Sequence, residues 1–125
     1  MREQIKKLQD VEKTLCEEKG PFEFFALFLR EDAPEKWDLI ISSDWAREDK
    51  KAAMELVIEK VASVFEDSEI LMLSRLIILA KDDDSGFKAL NRALHVDHGL
   101  IELSDCVIFG VSIKHAYLIT SQDGS

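Results

Sequence analysis

Phe22-Glu23-Phe24-Phe25-Ala26-Leu27-Phe28-Leu29 is the stretch on which the fold turns. After Glu23 its side chains are apolar at both odd and even positions. A strand that met water on one face would alternate apolar with polar, so this one reads as a central strand covered on both sides. Gly20-Pro21 stands before it and stops whatever precedes it. Glu31-Asp32-Ala33-Pro34-Glu35-Lys36 follows as a polar loop, and Trp37-Asp38-Leu39-Ile40-Ile41-Ser42 is the next strand. A loop this short makes an antiparallel hairpin of the two.

Outward from the hairpin the period changes from two to that of a helix. Upstream, Ile5, Leu8, Val11, Leu15 and Cys16 recur at spacings of three and four, which predicts a helix over 2–19 with one apolar stripe. Ile5, Leu8 and Leu15 fit a heptad seam. Glu12 interrupts it, and the run is too short for a coiled coil. Downstream, Ser43 or Asp44 caps a helix over 45–66 whose stripe is Ala53, Leu56, Val57, Val61, Val64 and Phe65. A turn and a strand over about 75–80 then complete a β-α-β unit. Arg75 falls inside that apolar run. A buried arginine needs a partner, either Asp38 or a neighbour within the protein, with a partner interface as the alternative.

Asp82-Asp83-Asp84-Ser85-Gly86 reads as a solvated turn, 86–95 as a short amphipathic helix, and 100–103, 106–109 and 111–120 as two or three closing strands. The expected fold class is therefore α/β (α+β): a mixed sheet of five to six strands with about three helices packed on it, in the order α-β-β-α-β-α-β-β. Residues 1–120 form one domain of ordinary size, and 121–125 fray.

Composition excludes several functions. The formal net charge is −9, and neither half of the chain is basic. Binding to nucleic acid draws on Lys and Arg displacing counterions at phosphates, and an acidic chain is repelled from phosphates and from anionic membranes alike. No apolar run approaches the roughly 18 residues of a membrane span, and Met1–Lys7 lacks the apolar segment of a secretory signal. The two cysteines, Cys16 and Cys106, read as reduced thiols, so the cytoplasm is the expected compartment. The five glycines stand alone, which leaves no glycine cradle for a nucleotide, and there is no Cys-x-x-Cys.

The constellation with chemical content is His95-Val96-Asp97-His98 with His115: all three histidines of the chain lie within 21 residues. Imidazoles and a carboxylate suit a divalent metal with an open position, on which a bound water is acidified for hydrolysis. The competing reading makes His95 and His98 a helix C-terminal cap and His115 a half-buried strand residue. Ser42-Ser43-Asp44-Trp45 lies where a strand hands over to a helix, a place that receives ligands in open α/β sheets, but Asp44 opposes an anion there and an ordinary helix cap explains it. Asp82–Asp84 lacks the spaced ligands of a calcium loop. Ser112-Ile113-Lys114 lacks the acid that a nuclease strand places two residues before its lysine.

With no strong catalytic signature, the expected function is a non-enzymatic interaction or regulatory domain. It would dock a protein partner, a second copy of itself among the candidates, and its charge would favour a basic surface. The alternative is a metal-dependent hydrolase using His95, Asp97, His98 and His115. No organic cofactor is expected.

Overall fold

The computed structural model describes residues 2–32, 35–79, 94–108 and 110–122. In chain order the elements are α1 (Arg2–Lys19), β1 (Phe24–Arg30), β2 (Trp37–Ser42), α2 (Asp44–Glu48), α3 (Lys50–Val64), α4 (Asp67–Ile70), β3 (Leu73–Ile78), β4 (Ile101–Ile108) and β5 (Val111–Ser121). The strands form one mixed sheet in the order β3-β2-β1-β5-β4, so the class is α+β and β1 is central. β1 pairs antiparallel with both β2 and β5, and β2 pairs parallel with β3. No helix among the described residues is long and apolar enough to cross a membrane.

The two faces of β1 explain its double apolarity. Phe25 and Leu27 point to the face that receives α1 and α3, where they meet Ile5, Leu8, Leu15, Val57 and Ile119. Phe24, Ala26 and Phe28 point the other way, into a second cluster with Ile40, Ile113, Ala116 and Leu118. Phe22, Phe24 and Phe25 are fully buried, and each such side chain contributes about 2–3 kcal/mol of burial free energy.

Several boundaries move for local reasons. β1 begins at Phe24, although the Glu23 N–H already bonds to the Ser42 carbonyl at 2.8 Å. The helix expected over 45–66 divides at Asp49, which leaves helical geometry (φ −148°) to cap α3 by accepting from the Ala52 N–H at 3.1 Å. Within its expected stripe, Ala53, Val57, Val61 and Phe65 are buried, while Leu56 is half-buried and Val64 exposed. β3 starts at Leu73, two residues early, because the turn before it folds as α4 with a Glu66/Glu69 capping box. The first two closing strands are one, β4. Asp105 takes a left-handed φ of 49° without ending the strand, and Cys106 resumes pairing with Ile113. The helix expected over 86–95 lies outside the described residues, apart from Leu94 and His95, which are not helical. The Asp82–Asp84 turn lies outside them altogether.

Candidate functional site

The most chemically loaded place is a buried carboxylate on α1. Glu12 is one turn beyond Leu8 and beside Val11, on the stripe that α1 lays against the sheet, and it is completely buried. A bare charge there is untenable, so the surroundings answer it. Its Oε1 accepts from the Thr120 hydroxyl at 3.0 Å, and its Oε2 meets Nδ1 of His98. The Thr120 hydroxyl in turn accepts the backbone N–H of His98 at 3.2 Å. Nε2 of His98 stands 3.4 Å from Oδ1 of Asp97. Glu12, Asp97 and His98 each offer a ligand atom within 4.8 Å of the others.

Two backbone features make this convergence. The first is a β-bulge. Phe25 pairs with Thr120 but Ala26 pairs with Leu118, so one residue of β5 is extra. In a regular strand Ile119 and Thr120 would point to opposite faces. Here Ile119 packs in the helix-side cluster and Thr120 also reaches α1, which is the re-aiming that a bulge provides. The second is the segment 96–99, stitched to the end of β5. Val96 and Ser121 exchange both backbone hydrogen bonds, the Gly99 N–H bonds to Ile119 O at 3.0 Å, and Gln9 of α1 donates to Gly99 O at 2.8 Å. His98 sits at a left-handed φ of 53° within this clamp.

Electrostatics follow from position. Burial pushes the Glu12 carboxyl above its usual range, against the opposing hydrogen bonds from His98 and Thr120. Cys16, one turn further along α1, is also pushed up by burial, with Glu12 and Asp97 adding to the effect. The shift favours the thiol over the nucleophilic thiolate.

Of the four residues expected to form a metal site, Asp97 and His98 come together, and Glu12 joins them. His95 is exposed and is not among the residues whose ligand atoms converge. His115 lies elsewhere on β5, its ring 4.7 Å from that of Tyr117 and 6.2 Å from that of Trp37. Its Nδ1 is 3.1 Å from Ser104 Oγ and its Nε2 is 2.7 Å from Glu102 Oε1. A hydroxyl, an imidazole and a carboxylate thus share one strand face, but Ser104 and Glu102 are solvent-exposed cross-strand neighbours, and water screens the chain they make. Burial, then Glu102, raises the Tyr117 phenol.

The crevice at Ser42–Trp45 is filled by the protein's own groups. Ser43 caps α2 by accepting from the Ala46 N–H, and Trp45 donates to Gly20 O at 3.1 Å with its ring on Phe22. Arg47 bonds to Ser42, Glu23 and Asp44 at 2.5–2.6 Å. Ser112 and Lys114 are exposed on β5.

A different kind of site lies at one border of the sheet. Among the described residues β3 has β2 on one side and no strand on the other. Beside it runs a groove lined by Leu39, Val57, Ile58, Ile70, Leu73 and Leu76, almost wholly apolar. Eight large apolar side chains are exposed among the described residues. Met54, Ile58, Val64, Ile70 and Leu71, five of them, belong to α3, α4 and the turn into β3, so exposure is concentrated there.

Comparison with protein-family models, with curated proteins and with solved structures returned no match for this chain.

Proposed function

We propose that the protein is a non-enzymatic binding module that pairs with a second copy of itself along β3. The observation that carries this reading is the coincidence of an open strand edge with the apolar groove beside it. Among the described residues no further strand pairs with this edge, whose sequence Leu-Ser-Arg-Leu-Ile-Ile has few charges to repel another strand. Natural sheets guard such edges, and an unguarded one aggregates unless something covers it. A second copy is the occupant always present at matching concentration, and strand addition would supply backbone hydrogen bonds while the groove receives apolar side chains. A two-fold axis at Leu76 sets Leu76 against its counterpart and Arg75 against Ile77, so like charges do not face each other.

Light scattering coupled to size exclusion tests the reading. The full chain is expected to run at the dimer mass at micromolar concentration. Ile58→Asp combined with Leu71→Asp changes two exposed positions and so leaves the fold intact, as circular dichroism will verify. This variant is expected to run as a monomer. A monomeric parent chain overturns the proposal, as does a dimer that survives both substitutions.

A further inference from the structure

We infer that Glu12, Asp97 and His98 form a binding site for one divalent transition-metal ion of the zinc class. Three observations carry it. The ligand atoms of these residues lie within 4.8 Å of one another. Around a tetrahedral ion with ligands about 2.1 Å away, ligand atoms stand roughly 3.4 Å apart; Glu12 faces Nδ1 and Asp97 faces Nε2 of His98, so the Asp97 side chain swings to the Nδ1 side to close the set. Asp97 is half-exposed and has room to make that turn, whereas Glu12 is fixed by burial and by Thr120, and His98 already meets Glu12 through Nδ1.

The second observation is charge. In the bound state two carboxylates and one imidazole would balance a divalent cation, which takes the place of the proton that burial favours on Glu12. Without the ion, the buried Glu12 has only a half-exposed histidine and a hydroxyl to answer it. The third is the donor set. Imidazole nitrogen with carboxylate oxygen suits Zn²⁺ or Mn²⁺, and three protein ligands leave a position for water. Thr120 keeps its place as the outer partner that orients Glu12 through Oε1, which leaves Oε2 for the metal. Solvent reaches the site past His98 and Asp97. The inference is independent of self-association, since the site involves α1, the 96–99 segment and β5 rather than β3.

The test uses the full chain after chelator treatment and dialysis, with Zn²⁺ and Mn²⁺ as the probes. Equilibrium dialysis with elemental analysis is expected to give one Zn²⁺ per chain, and the melting temperature is expected to rise with Zn²⁺. Asp97→Asn, at an exposed position that does not threaten the fold, is expected to weaken binding by more than the roughly tenfold that loss of an outer partner costs. His98→Ala is expected to abolish it and His115→Ala to leave it unchanged. Mn²⁺ is expected to broaden the NMR signals of the 96–99 segment and not that of the His115 ring. Absence of saturable binding overturns the inference. So does binding that persists in both Asp97→Asn and His98→Ala, or binding that disappears in His115→Ala.

Discussion

Asp38 in the sheet and Glu12 on the helix packed against it are both buried carboxylates, and they are answered in different ways. Asp38 on β2 is 2% exposed and held by two guanidinium groups: Arg30 Nε lies 3.0 Å from its Oδ2, and Arg75 reaches both oxygens, at 2.7 and 3.3 Å. Glu12 on α1 is equally buried, but its neighbours are an imidazole and a hydroxyl. Fixed guanidinium charge pairs with Asp38, whereas burial is the dominant influence on Glu12 and raises its carboxyl. Compensation by permanent charge makes a structural tie between strands. Compensation by groups that can turn or change partners leaves a site able to accept something else.

The substitution with the largest expected effect is Asp38→Asn, which strips the charge from between two arginines, one of them mostly buried. Urea unfolding should show a loss of about 3 kcal/mol, the scale for breaking a buried ion pair from one side. Glu12→Gln should cost much less, about 1 kcal/mol or under at neutral pH, because the amide keeps an acceptor for Thr120 and resembles the protonated acid that burial favours. A loss as large as that of Asp38→Asn would erase the contrast between the two sites.

The same variant has a signature in pH. With its carboxyl raised in the fold, Glu12 leaves the native state binding more protons than the unfolded chain between the unfolded value, about 4.3, and the raised folded value. Metal-free protein should therefore lose part of its stability as pH climbs through that window, and Glu12→Gln should not. Glu69 provides a control of opposite sign. Its carboxylate accepts from the Glu66 backbone N–H and pairs with Lys7, which together lower it, so its contribution is present above the unfolded value and disappears as pH falls through the folded one. Arg75→Ala should have the smallest effect, about 0.5–1 kcal/mol by urea unfolding. Its side chain is half exposed, water screens the pair, and Arg30 remains on Asp38.

The legibility of these sites differed as their chemistry does. An arginine inside the apolar run 73–78 asks for a partner, and Asp38 is one of the candidates; the structure supplies it, although Arg75 is half exposed on the border strand rather than buried. The central place of β1 followed from apolar residues on both of its faces. Glu12 left a fainter trace, as the one charge breaking the stripe of Ile5, Leu8 and Leu15. It reads from sequence as a flaw in a seam, since its partner Thr120 lies 108 residues away and is turned toward it by a bulge that periodicity does not record. Asp97 and His98 were picked out by spacing, but the company of His95 and His115 was an artefact of closeness along the chain. The β5 pleat carries His115 to Tyr117, and His95 stays exposed outside the converging set.

The pairing of β1 with β5 has a consequence for biosynthesis. Nearly a hundred residues separate the partners Phe24 and Ser121, which makes this contact expensive in loop entropy and late to form. A ribosome adding 5–20 residues per second needs on the order of ten seconds to bridge that gap. Throughout that interval the phenylalanines of β1 have the hairpin with β2 on one flank and no second neighbour. The most oil-rich strand of the protein is thus the one that waits longest for shelter, and chaperones that bind extended apolar segments would find their target there.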